Sequence, residues 1–239
     1  MKSPLPVRLC LLLTGPCLFS LSCTSPAPPS GFLTETALMK KDPSVPFQSF
    51  YLRPGTDFSK YWQVYLPPTR TDKVKVNQRF LGERRAFIKS WQDDADRSGK
   101  DLRDSFVAGF QASRPREWKV LESPARTRET LVLETNLVEI SPSRPLVQAA
   151  GFLVPGVSVI NRVTVAMEAR LSEARTGKTL AAWADREATP FSPVDLAKFR
   201  FYRSQRNLMR QWGRQTVQWL NRLDDRPIRD PLPFRPITW

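Results

Sequence analysis

Val163, Val165, Met167, Ala169 and Leu171 alternate with Thr164, Glu168, Arg170 and Ser172, the cleanest period-two pattern in the chain. Such alternation marks a β-strand, because successive side chains leave opposite faces. Ala174-Arg175-Thr176-Gly177-Lys178 follows, and then a second run from Thr179 to Arg186. This is the pattern of a hairpin with Gly177 at the tight position. Leu131, Leu133, Thr135 and Leu137 interleave with Val132, Glu134, Asn136 and Val138, predicting a well-covered strand. Tyr61 to Leu66 is an aromatic and β-branched run that Pro67-Pro68 stops hard. Short strands are expected at Ser49 to Leu52 and Trp118 to Leu121. Helical spacing occupies two regions. Gln78 to Ala112 sets Leu102, Phe106 and Phe110 four apart with Val107 beside them, with an expected break at Ser98-Gly99 and an end at Pro115. Asp195 to Leu223 gathers Leu208, Trp212, Thr216, Trp219 and Leu223 on one face and Arg203, Arg206, Arg210 and Arg214 on the other. The order β, α, several β, α predicts an α+β fold: a mainly antiparallel sheet with two helices packed on one face.

The flanks organise the chain around this domain. Lys2 and Arg8 precede an uncharged run from Leu9 to Leu21, then Ser22 and Cys23, the layout of a secretory signal with a cysteine after the small residue. That cysteine makes it a lipoprotein signal, with Cys23 as the lipidated residue and 1–22 as the removed peptide. The alternatives are an ordinary cleaved signal or an uncleaved anchor, and the run is shorter than the ~18 residues of a permanent span. Residues 23–30 form a lipidated, proline-rich linker, 31–223 one domain, and 224–239 a proline-rich extended tail. Within the domain, Gly31 to Pro54 is expected to be an irregular arm wrapping the rest.

Composition narrows the chemistry. The formal charge is +14, and +12 once Lys2 and Arg8 leave with the signal, which favours anionic partners such as lipid headgroups or acidic glycans. All three cysteines, Cys10, Cys17 and Cys23, lie in the signal or at its cut, so no disulfide is expected in the mature chain. Histidine is absent, which removes the usual general base and most catalytic zinc sites. The densest carboxylates, Asp93, Asp94, Asp96, Asp101 and Asp104, sit among Arg97, Lys100 and Arg103 on one helix and read as a solvated, ion-paired face. A carbohydrate-active enzyme, which needs two carboxylates on opposite sides of a sugar, is the third and least favoured reading, with Asp93 to Asp104 as its carboxylates. We expect no catalytic residues, no metal and no cofactor. Two binding candidates remain. Leu146 to Asn161 is uncharged and carries Phe152, Leu153 and Val154, a candidate membrane or partner contact, or else a buried loop. Arg203, Arg206, Arg210 and Arg214 form a one-sign stripe suited to phosphate or carboxylate groups.

The chain resembles a bacterial lipoprotein family known only as domain-of-unknown-function family 3313. The likeness rests on Cys23, on Ser30-Gly31-Phe32-Leu33, on Asp57-Phe58-Ser59-Lys60-Tyr61 and on Arg175-Thr176-Gly177-Lys178-Thr179-Leu180. The resemblance implies an envelope lipoprotein with an α+β domain and supplies no activity. The expected role is a non-enzymatic binding or assembly module on the periplasmic face of the outer membrane, with the inner membrane as the alternative. The partner would be an envelope protein, anionic lipid or glycan rather than nucleic acid. A second reading makes it an accessory lipoprotein subunit of a lipid or solute transporter.

Overall fold

The computed structural model describes residues 29–74, 85–114, 116–141, 164–188 and 198–222, with backbone alone for 85–91, 141 and 198–204. Its elements are β1 (Ser49–Leu52), β2 (Gln63–Tyr65), α1 (Arg85–Gln111), β3 (Lys119–Leu121), β4 (Thr130–Ser141), β5 (Thr164–Glu173), β6 (Thr179–Ala188) and α2 (Lys198–Leu220), with a 3-10 turn at Thr36–Leu38. The strands form one sheet in the order β1-β6-β5-β4-β2-β3. The expected α+β architecture is present. β1, β6, β5 and β4 pair antiparallel, while β2 runs parallel to both β3 and β4. A parallel pair needs a crossover, and α1 is the crossover between β2 and β3.

Period two sets which residues meet the helices. Leu133 faces Leu171, Thr135 faces Ala169 and Leu137 faces Met167 across β4 and β5, and Ala169 faces Trp183 on β6. These residues and Val64, Phe50 and Leu131 make the helix-side layer of the core. Trp183 stacks on Phe47 at 5.1 Å, and the Trp219 ring meets Phe50 and Phe58 edge-on at 5.1 Å each. The Gly177 turn has φ +68°, the left-handed conformation that the hairpin needs and that glycine adopts without strain.

The pairing of β2 does not stop for good at Pro67-Pro68. Neither proline can donate, but the chain re-enters the sheet at once: Arg70 N–H donates to the Thr135 carbonyl and Leu137 N–H to the Arg70 carbonyl, each at 2.9 Å. The hydroxyls of Thr69 and Thr135 meet at 2.8 Å. This segment explains why α1 runs unbroken through Ser98-Gly99, where a break was expected. The Ser98 hydroxyl donates to the Asp94 carbonyl inside the helix at 2.7 Å. Any side chain at Gly99 would come within 2.7 Å of the Thr71 methyl, so the glycine serves close docking rather than helix breaking.

The two helices cross on their smallest residues. A methyl at Gly109 would lie 2.7 Å from the Gly213 carbonyl oxygen, and one at Gly213 would run into the Ser105 carbonyl. Contacts climb both helices together, from Asp101 with Arg206 to Ser113 with Asn221, so α1 and α2 run in the same direction. The buried side of α2 holds Gln205, Met209, Trp212, Gly213, Thr216, Trp219 and Leu220. It is wider than the predicted stripe because α2 packs on both the sheet and α1. Leu208 is accordingly only half-buried, and Leu223 lies outside the described residues.

The Asp57-to-Tyr61 stretch is a corner built on these layers. Asp57 accepts from the Ser59 N–H and hydroxyl, both at 2.8 Å, and those bonds hold its carboxyl below the ordinary range. Arg116 donates to the Phe58 carbonyl at 2.6 Å and lies over the Trp118 ring at 4.4 Å. Tyr61 is buried, and its hydroxyl donates to Glu173 Oε1 at 3.3 Å. Burial, with the Glu173 carboxylate beside it, pushes this phenol up to about 12 from an ordinary 10.0. The neutral phenol therefore stabilises the fold fully below pH ~10, and that contribution fades between there and pH ~12. An ultraviolet phenolate titration of wild type against Tyr61→Phe is expected to lose a component with a midpoint near 12. A difference titrating at an ordinary value would contradict the burial argument.

Candidate functional site

Of the predicted site residues, Arg206, Arg210 and Arg214 are the ones described with their side chains. Cys23, Phe152, Leu153 and Val154 lie outside the described residues, as does all of Leu146 to Asn161. Arg203 lies on α2, in the part where only the backbone is described. Arg206, Arg210 and Arg214 occupy the exposed face of α2, as the helical spacing predicts. A feature that α2 alone could not reveal is the neighbouring carboxylate. Asp101 of α1 pairs with Arg206 Nε at 3.1 Å, so the stripe is partly neutralised. Among the described residues, Arg210 reaches only Asn207, at 3.5 Å, and Arg214 has no partner. Two further aspartates of α1 have partners. Asp96 accepts from the Thr71 hydroxyl at 2.6 Å and from Gln92 at 3.0 Å, while Asp104 lies 3.9 Å from Arg103.

A more highly constructed polar site lies on the opposite face of the sheet, where the N-terminal arm lands. Asn136 and Glu168 are register partners at the centre of β4 and β5, and both are buried. A carboxylate buried there is costly unless its oxygens are filled. Ser30 fills them. Its backbone N–H donates to Glu168 Oε1 at 3.0 Å and its hydroxyl donates to Oε2. Asn136 Nδ2 donates to the Ser30 hydroxyl at 2.9 Å and to Glu168 Oε2 at 3.3 Å. Gly31 then turns the chain with φ +82°, and Phe32 N–H donates back to the Ser30 hydroxyl at 3.1 Å. Two guanidinium groups lie over the Phe32 ring, Arg170 at 5.1 Å and Arg70 at 5.8 Å from its centroid. Arg170 is in turn paired with its cross-strand neighbour Glu134 at 2.7 Å. Phe32 and Leu33 cover Ala182, with Met39 and Tyr51 alongside.

Each residue of Ser30-Gly31-Phe32-Leu33 thus has its own task in fixing the arm to the sheet. Sequence reasoning placed Glu168 on the polar side of a strand and gave it no partner. The available signal was a carboxylate and an amide at matching central positions of two well-covered strands. We expect Glu168→Ala to release the arm at a cost of about 2 kcal/mol, the scale of a lost charged hydrogen-bond set. Limited trypsin digestion should then cut after Lys40 or Lys41 well before the sheet is attacked. Unchanged cleavage would remove the latch role from Glu168.

The family model described as "Protein of unknown function (DUF3313)" matches residues 28–216, and the chain belongs to that family. A search of curated proteins gives no match. Among solved structures, the chain is similar to XCC0632 from Xanthomonas campestris, with 16% identity, 70% of this chain and 88% of that one covered, and a TM-score of 0.43. It is similar to the PelC dodecamer from Paraburkholderia phytofirmans at 8% identity, covering 70% and 95% with a TM-score of 0.39. It is similar also to a putative lipoprotein from Caulobacter crescentus at 18% identity, covering 52% and 80% with a TM-score of 0.31. No helix of the described residues is long and apolar enough to cross a membrane.

Proposed function

We propose that this member of the DUF3313 family is a cell-envelope lipoprotein, acylated at Cys23, whose α+β domain is a non-enzymatic binding or assembly module facing the periplasm. The observation that carries this reading is the short path from the signal to the latch. Residues 24–29 alone separate the cysteine of the lipoprotein signal from Ser30, which is tied to the centre of the sheet. A firmly held arm start, rather than a loose leader, is what a tethered domain requires. Thr24 after the cysteine favours the outer membrane over the inner. A single acyl chain gives weak attachment, so stable residence implies more than one chain, aided by the basic domain at an anionic surface. The part of the domain offered to a partner is the outer face of α2, where Arg210 and Arg214 present guanidinium groups suited to carboxylate or phosphate.

Metabolic labelling of the native host with an alkyne fatty acid tests the anchor. Wild-type protein is expected to take up the label and Cys23→Ala to take up none. Label retained in Cys23→Ala, or absent from wild type, would overturn the lipoprotein reading.

A further inference from the structure

We infer that the arm-bearing face of the sheet lies against the bilayer that holds Cys23, and that the arginine face of α2 points away from it. This rests on the lipoprotein reading and adds an orientation to it. Chain length limits the orientation. Ser30 is fixed to Glu168 on β5 and is contacted by Asn136 on β4. These are the third and fourth strands of six, on the face opposite the helices. Seven residue steps join Ser30 to Cys23, and Pro26, Pro28 and Pro29 lie among them. Fully extended, seven residues span about 25 Å, and about 22 Å as polyproline II.

To bring α2 onto the same membrane, that tether would have to pass round the domain. At ~4.8 Å per strand the latch is about 12 Å from either edge of the sheet. A helix layer ~10 Å across then has to be passed on the far side, with the gap between sheet and helix axis added. The edge and the helix layer together already use about 22 Å, the whole reach of the tether as polyproline II, before that gap is added. No comparable detour separates Ser30 from a membrane on its own side, where Arg70 and Lys73 are exposed beside the arm. Lys73 Nζ would lie 3.8 Å from a methyl placed on Gly31, so a cation stands at the point where the tether enters the fold. Phosphate headgroups are the chemistry that this position meets. The stripe of Arg206, Arg210 and Arg214, which the sequence alone offers equally to the protein's own membrane, is instead turned toward soluble or facing anions.

The test uses acylated, full-length mature protein in vesicles of phosphatidylethanolamine and phosphatidylglycerol carrying a headgroup-linked quencher. The mature sequence has no cysteine besides Cys23, so Lys73→Cys and Arg210→Cys each give one fluorophore site on an exposed position. The label at 73 is expected to be quenched several-fold more than the label at 210. Equal quenching, or stronger quenching at 210, would overturn the orientation. Inserting twelve Gly/Ser residues between Pro29 and Ser30 should shrink the difference, and an unchanged difference would overturn the tether as its cause. Intact mass is measured before reconstitution. Protein without acyl chains contradicts the lipoprotein reading, whereas acylated protein with reversed quenching contradicts the orientation alone.

Discussion

Gly213→Ala is expected to destabilise the domain by about 3 kcal/mol, the upper part of the range for overpacking a tight contact. The sign is the informative part. In the interior of a helix, glycine is ordinarily about 1 kcal/mol worse than alanine, so propensity alone predicts a gain. Here the added methyl would lie 2.9 Å from the Ser105 carbonyl carbon and 3.2 Å from the Phe106 Cα, both too close. These are backbone atoms of a packed helix and cannot rotate aside. α2 must then move off α1, and the movement reaches Trp212 and Trp219, whose rings fill the space beneath. Gly109→Ala should behave alike, because its methyl would meet the Gly213 backbone from the other side at 2.7 Å. Urea unfolding midpoints measure both. A stabilised Gly213→Ala would mean that the helices do not cross there.

Trp212→Ala should cost about 4 kcal/mol, within the range for emptying a buried aromatic site. Trp212 is fully buried between α2 and the sheet, and its indole N–H donates to Asp185 Oδ2 at 2.7 Å. Asp185 is itself buried on β6, and its other oxygen accepts from Gln48 N–H at 3.3 Å. The substitution therefore leaves both a cavity and a buried carboxylate short of a donor. Trp212→Phe separates the two effects. It keeps most of the ring volume and removes the donor, so a loss of roughly 2 kcal/mol is expected, the scale of a hydrogen bond to a charged group. If Trp212→Phe were neutral under the same denaturation assay, the bond to Asp185 would not matter to the fold.

Periodicity carried the architecture a long way. The alternation of Val165, Met167, Ala169 and Leu171 placed β5, and Leu102, Phe106 and Phe110 placed the buried side of α1, because burial is repeated at the period of the element. What periodicity does not encode is contact between distant segments. The parallel pairing of β2 with β3 and β4 is such a contact, and so is the renewed pairing at Arg70 beyond Pro67-Pro68. Gly99 reads locally as a helix breaker, and only the approach of Thr71 reveals it as a docking position. The burial of Glu168 depends on Ser30, 138 residues earlier, and the partial neutralisation of the arginine stripe depends on Asp101, 105 residues before Arg206. The stripe itself was legible, because exposed residues at helical spacing need no partner to define them. Cys23 and the Phe152-to-Val154 contact candidate lie outside the described residues, so both stand as sequence readings.

We propose that the domain hangs on Cys23 by a short tether that begins at the latch. The most direct test is the mass of the mature N-terminal peptide from membranes of the native host. We predict a peptide that starts at Cys23 and carries a diacylglycerol. A peptide starting at Met1, or an unlipidated one from a soluble fraction, would contradict the account, and the basic face of α2 would then have to be tested for salt-dependent nucleic-acid binding.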